Sequence, residues 1–245
     1  MTESRSLSVV VPAYNEAAQI AQTLRELCVY LAPMRFSWEV RVVDDGSEDA
    51  TRSIVATAAE SDARIVLQAE PHRGKGAAVR AGMLNATGDL RFLCDADLSM
   101  PLPELPRFLD LVPGQCDIAI GSREGAGARR VGEPGYRHVM GRGFNRLVRG
   151  ALLPGLEDTQ CGFKLFSGPA AAAVFRQVTI DGWAFDIEAL YVARRLGLRV
   201  LEIPIEWHYR EQSKVSPVRD AILMARDVAL VRLNAARGKY PVSRR

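Results

Sequence analysis

The chain has 245 residues, 48% of them hydrophobic and 25% charged, with a formal net charge of +3, enough to build one substantial α/β domain. So near a balance of charge argues against a nucleic-acid binder, and no stretch reaches the ~18–20 consecutive apolar residues of a membrane span. Cys28, Cys94, Cys116 and Cys161 are scattered without a CxxC pair, which excludes a disulfide framework or zinc site of the usual spacing. Met1 to Ser6 is polar and has no secretory pattern, so a reducing cytoplasm is the expected setting. Lysine occurs only at positions 75, 164, 214 and 239. The arginine bias suits bidentate phosphate contacts, although a GC-rich genome produces the same bias.

Leu7 to Pro12 reads as a buried strand of the parallel-sheet kind. Ala13-Tyr14-Asn15-Glu16 follows, then apolar residues at helical spacing from Ala17 to Leu31. Asn15 is placed to cap that helix. A strand-loop-helix unit is also where nucleotides bind on a parallel sheet. Glu39 to Asp45 is a second strand ending in two acids, and Glu48 to Glu60 returns as a helix. Asp44 and Asp45 are turn or cap residues, or acceptors for base N–H and ribose hydroxyl groups. Ala63 to Leu67 is a third strand. His72 to Gly82 then carries Gly74-Lys75-Gly76, where glycines let the backbone and the start of a helix approach phosphate closely. The spacing is not that of a Walker loop.

Leu90 to Cys94 is the next strand, ending in Asp95-Ala96-Asp97. Residues two apart lean the same way on an extended chain. Asp95 and Asp97 therefore offer hard oxygens for Mg2+ or Mn2+ while leaving other positions to phosphate. An isolated D-x-D is more often a pair of solvated loop acids, so its neighbours decide.

Those neighbours are Val10 to Glu16, Val42 to Ser47, Gly74-Lys75-Gly76 and Asp95-Ala96-Asp97, whose order and spacing resemble the inverting, GT-A fold, family 2 glycosyltransferases. The resemblance implies an α/β fold with a Rossmann-like, mostly parallel central sheet flanked by helices and a nucleotide-sugar donor. It places the nucleoside at Pro12, Ala13, Tyr14, Asn15, Glu16, Asp44 and Asp45. It places the diphosphate near Gly74 and Lys75, and the metal on Asp95 and Asp97, beside Ala96.

Farther along, Asp117 to Arg123 reads as a strand ending in a small-residue turn, and Gly125 to Gly135 as a loop. Arg123 is either a surface charge or an anion contact. Tyr136 to Leu153 interleaves basic and apolar residues, as a membrane-surface helix or a core helix with a basic outer face would. Glu157 to Phe166, Gly182 to Glu188 and Trp207 to Val215 resemble the dolichyl-phosphate or polyprenyl-phosphate sugar synthase branch of the family. Arg73 to Gly76 with Asp158 to Phe166 looks most like its glucosyltransferase members. That implies UDP-glucose as donor, with GDP-mannose the alternative, and a polyprenyl phosphate as acceptor.

The same resemblance puts Asp158 near the anomeric centre, as an orienting group or a base. It assigns Arg123, Arg210 and Lys214 to charge compensation, and Gln160, Trp183, Asp186 and Ser213 to sugar or acceptor. Read locally, Asp158 is a helix cap, and Trp183 and Asp186 are core and cap residues of a helix from Ile187 to Leu196. Residues 1–215 form the expected catalytic domain, followed over 216–245 by an amphipathic helix and a basic tail that dock on the domain or on a bilayer. The expected location is peripheral, on the cytoplasmic face of a membrane, and a homo-oligomer is compatible with these features. A non-catalytic nucleotide-sugar sensor remains the alternative outside enzymology; it would need neither Asp158 nor the Arg210 and Lys214 pair.

Overall fold

The computed structural model describes residues 5–209 and 217–242. The amino-terminal half runs β1 (Ser6–Ala13), α1 (Ile20–Leu31), β2 (Ser37–Asp45), α2 (Thr51–Ser61), β3 (Ile65–Glu70), α3 (Lys75–Asn85) and β4 (Leu90–Leu93). Next come α4 (Leu105–Leu109), β5 (Ile118–Ser122), β6 (Arg129–Val131) and α5 (Gly135–Ala151). The chain continues with β7 (Lys164–Ser167), α6 (Gly168–Phe175), α7 (Phe185–Arg195), β8 (Val200–Pro204), β9 (Glu206–His208) and α8 (Pro217–Ala236).

Among the described residues one sheet has the order β3-β2-β1-β4-β7-β5-β8. All neighbours pair in parallel except at β7, which runs antiparallel to both β4 and β5. The expected α/β fold with a mostly parallel sheet is therefore the one observed. β1 and β2 are apolar almost throughout because both faces are covered: Val9, Val11, Val40 and Val42 pack on one side, Val10 and Val43 on the other. Strand order reverses between β1 and β4, the kind of crevice where open α/β sheets bind ligands beyond their carboxyl ends.

The differences from sequence expectation are local. Gly125 to Gly135 contains β6, which pairs with β9 in parallel, Arg130 opposite Trp207. A ladder partner so far away in sequence outweighs the local Gly and Pro content. α1 starts at Ile20 rather than Ala17, since Glu16 O accepts from both Gln19 N and Ile20 N in a preceding turn. In α5, Val148 is buried in the core while Leu147 is 51% exposed and Arg142 and Arg146 are exposed. α5 thus has a core side and also an exposed side carrying both basic and apolar groups. α8 buries Val228 and Val231 in the same core and exposes Leu223, Leu230 and Leu233. Among the described residues no helix is long and apolar enough to cross a membrane.

Close helix-on-sheet packing depends on Gly82 of α3, where an added Cβ would meet Val10 Cγ1 at 2.5 Å and Val43 Cγ2 at 2.7 Å. Gly82→Ala gains helix propensity but overpacks two buried strands. Chemical denaturation should show a net loss of about 1–2 kcal/mol; an unchanged midpoint would mean that α3 shifts freely on the sheet.

Candidate active site

Three strand ends build one wall of the crevice. Beyond Ala13 the chain turns through Asn15 in a left-handed conformation, φ +51°. Asn15 N–H donates to Ser47 Oγ at 2.9 Å, and its Oδ1 accepts from Glu48 N at 2.9 Å. Glu16 N–H donates to Thr51 Oγ1 at 2.7 Å. Asn15 therefore does not cap α1; it staples the loop after β1 to the loop after β2. The Tyr14 ring stacks on His72, centroids 4.1 Å apart and planes 16° apart.

Asp44 is fully buried and accepts from Arg52 Nε at 2.9 Å. Asp45 accepts from Arg73 N at 3.0 Å and Gly74 N at 2.9 Å, with His72 Nδ1 2.8 Å from the carboxylate. Protein donors hold both acids in place, and Asp45 fixes the Arg73-Gly74 turn that opens α3.

The floor is a network of paired charges. Lys75 Nζ lies 2.6 Å from Asp95 Oδ1 and 5.4 Å from the centre of the Trp183 ring. Lys164, 1% exposed, bonds Asp186 Oδ1 at 2.6 Å and Cys161 O at 2.5 Å. Arg123 grips Asp158 by both ends, Nε to Oδ2 at 2.6 Å and Nη2 to Oδ1 at 2.8 Å, with its backbone N–H 3.0 Å from Oδ2. The Asp158 backbone N–H donates to Glu202 Oε1 at 2.7 Å. Asp97 accepts from Ser99 N at 2.9 Å across a turn in which Leu98 has φ +45°. Gly162 lies flat on Asp95: any Cβ there would collide with the carboxylate.

Burial and charge set the ionisation of these groups. Burial pulls the Lys75 ammonium down, but Asp95, Asp186 and Asp97 more than offset this and leave it above its ordinary range. Burial pushes Asp95 up, and the cations Lys75, Lys164 and Arg123 bring it below the usual carboxylate range. Burial likewise opposes ionisation of Asp158, yet Arg123 holds it down at about 2. Asp186 stays above the usual range, because burial outweighs the pull of Lys164 and Lys75.

Of the residues expected at the site, Lys75, Asp95, Asp97, Arg123, Asp158, Trp183 and Asp186 converge on this crevice. Gln160 adjoins it; its backbone N–H donates to Asp158 Oδ1 at 3.2 Å and its amide nitrogen lies 3.1 Å from Met224 Sδ on α8. Arg210, Ser213 and Lys214 lie outside the described residues. Lys164, Gly162 and Glu202 join the site without having been expected from the sequence. Only Lys164 carries a signal, a lone ammonium heading a buried strand beside Leu165 and Phe166.

Asp95 and Asp97 fit a divalent cation in their chemistry. Asp95 Oδ1 is buried and engaged by the Lys75 ammonium at 2.6 Å, so a cation there would share this carboxylate with Lys75 or displace it. Among the described residues no cluster of three His, Cys, Asp or Glu encloses a single ion position. Two carboxylates with the remaining positions left to phosphate oxygens and water is how Mg2+ is commonly held.

A family model described as Glycosyl transferase family 2 matches residues 8–175. The chain is 35% identical over 252 residues to the dolichyl-phosphate beta-glucosyltransferase of Mus musculus, covering 97% of this chain and 78% of the relative. Among solved structures, mannosyl-3-phosphoglycerate synthase from Rubrobacter xylanophilus superposes with a TM-score of 0.70 at 20% identity, over 96% of this chain and 75% of that one. Glucosyl-3-phosphoglycerate synthase from Mycobacterium tuberculosis, solved with Mn2+, UDP-glucose and glycerol 3-phosphate, gives 0.66 at 20% identity, over 94% and 79%. At such identities the two structures establish the shared fold.

The Asp158 pKa has a measurable consequence. It is depressed in the folded state, about 2 against an ordinary 3.8, so its stabilisation is complete above about pH 4 and is lost as pH falls through about 2. Roughly 2 kcal/mol is involved. In Arg123→Met the buried carboxylate loses its partner and burial raises its folded-state pKa, so the variant should be less stable than wild type at pH 7, with the gap narrowing as pH falls below about 4. Coincident curves of stability against pH would contradict the pairing.

Proposed function

The chain belongs to glycosyl transferase family 2, and from that membership we propose that it moves glucose from UDP-glucose to a polyprenyl phosphate, forming polyprenyl-phosphate glucose. The observation that carries the acceptor class is the state of Asp158. A carboxylate clamped by Arg123 with a pKa of about 2 is a feeble base at neutral pH. Asp158 so held is poorly equipped to deprotonate a hydroxyl group, and the clamp suits an acceptor that arrives ionised. A phosphate monoester has a second pKa of ~6 and is largely dianionic at pH 7.

The step is one in-line displacement. An acceptor phosphate oxygen forms its bond to the anomeric carbon as the bond to the diphosphate oxygen breaks, and the electron pair leaves on UDP. No proton has to move. The protein's task is to bring two anions together in that alignment. Lys75 offers a fixed ammonium to the departing diphosphate, and Asp158 holds Arg123 rigid at the acceptor side. A Mg2+ or Mn2+ ion bound by Asp95 and Asp97 would add positive charge at the diphosphate. Tyr14, Asn15 and the loops fixed by Asp44 and Asp45 shape the nucleoside end.

The relative's name supports glucose and a dolichyl-type acceptor, and the Mn2+ and UDP-glucose held by the mycobacterial structure support the donor and the ion. Leu147, Arg142 and Arg146 on α5, with Leu223, Leu230 and Leu233 on α8, support peripheral docking on a membrane surface, and we place that surface on the cytoplasmic side only as part of this proposal.

With Mn2+, UDP-glucose and a polyprenyl phosphate, the purified protein should release UDP and give a lipid-extractable glucose product. The corresponding polyprenol should give neither. Asp97→Ala should lower turnover at least about a hundredfold. Equal turnover on the polyprenol would sink the acceptor assignment, and wild-type turnover in Asp97→Ala would sink the metal assignment.

A further inference from the structure

Glu188 lies in α7, outside the charge network at the sheet edge, and is fully buried. It accepts four hydrogen bonds: from Thr179 N at 2.8 Å, Thr179 Oγ1 at 2.8 Å, Ile180 N at 2.7 Å and Tyr240 OH at 2.7 Å. Tyr240 follows α8 and is itself buried, its ring edge-on to Tyr191 of α7 at 5.7 Å. One carboxylate thus joins the segment after α8 to the strap between α6 and α7.

That strap bears directly on the Lys75 turn. Asp181 O accepts from Ala77 N at 3.2 Å, and a Cβ on Gly74 would stand 2.6 Å from the same oxygen. A Cβ on Gly76 would collide with Ile180 O. The Asp181 carboxylate bonds Arg73 Nη2 at 2.8 Å and Arg80 Nη2 at 2.9 Å, on either side of the turn. Trp183, at the end of the strap, faces the Lys75 ammonium. Gly74, Lys75 and Gly76 therefore rest on a support that is itself fixed by Glu188.

We propose that Glu188 and Tyr240 are positioning residues for the Lys75 turn: they lock the Thr179–Trp183 strap so that docking of the segment after α8 preorganises the diphosphate site. Neither residue is among those placed at the crevice. The inference deepens the reading of Lys75 as the diphosphate contact and rests on that reading. A rigid strap lowers the cost of ordering the turn when an anion binds. Loosening it would be felt as weaker nucleotide binding, with the reacting groups left intact.

Tyr240→Phe removes a single hydroxyl and leaves Glu188 three donors. Amide hydrogen exchange should quicken about tenfold at Thr179, Ile180 and Ala77, as expected for loss of a hydrogen bond to a charged group, with β1 amides unchanged. Calorimetry with UDP and Mn2+ should show binding several-fold weaker than wild type. Glu188→Gln, nearly isosteric, should shift both readouts in the same direction and further.

Faster exchange at Thr179 and Ile180 with none at Ala77 would overturn the relay. So would a uniform rise that included β1, since that marks general destabilisation. Should wild-type protein fail to bind UDP with Mn2+, the nucleotide-sugar reading would fall, while the exchange pattern would still decide whether the strap is coupled to the turn.

Discussion

Pairing of buried and half-buried opposite charges is the constraint on which the carboxyl edge of the sheet depends. Lys75 with Asp95, Lys164 with Asp186 and Arg123 with Asp158 lie within one crevice, and the last two pairs have almost no exposure on their carboxylate side. A buried ion without a partner costs several kcal/mol, so each member holds its mate in place as much as it stabilises it. The gain is fixed geometry: the paired cations are already aimed into the crevice and need no reorganisation to face an anion. Asp158 is the clearest case, since the grip that lowers its pKa also removes it as a useful base.

The fold brings these groups together by topology. β1, β2 and β4 are parallel, so the loops after them emerge on one edge. β7 enters antiparallel between β4 and β5, with Lys164 opposite both Leu93 and Ile120. That insertion puts a lysine beside strands ending near Asp95 and Arg123. A parallel strand in the same place would send the start of the Lys164–Ser167 segment to the opposite edge. Asn15, Ser47 and Thr51 then tie the first two loops into one surface.

Much of this is legible in the sequence. The apolar runs at β1, β2 and β4, and the acids that end β2 and follow β4, locate the crevice, because buried parallel strands have few alternative readings. Resemblance supplied the pairing of Gly74-Lys75-Gly76 with Asp95-Ala96-Asp97. What stayed hidden was partnership. Arg123 and Asp158 are 35 residues apart, and either alone reads as a surface charge or a cap. Asn15 looks like the cap of the helix that follows it, yet its oxygen serves Glu48, 33 residues on. The direction of β7 and the existence of β6 are set by distant strands that no local pattern reveals. Glu188, in an ordinary amphipathic helix, gave no sign of the donors that surround it.

Under the proposed function, this edge of paired charges receives a diphosphate and a divalent cation. The most direct measurement is anomalous scattering from a crystal grown with Mn2+ and UDP. One strong manganese peak is expected in contact with Asp95 or Asp97 and with the diphosphate, with the Lys75 ammonium on a phosphate oxygen. A peak elsewhere, with Asp95 still engaged by Lys75 alone and UDP outside the crevice, would contradict that proposal.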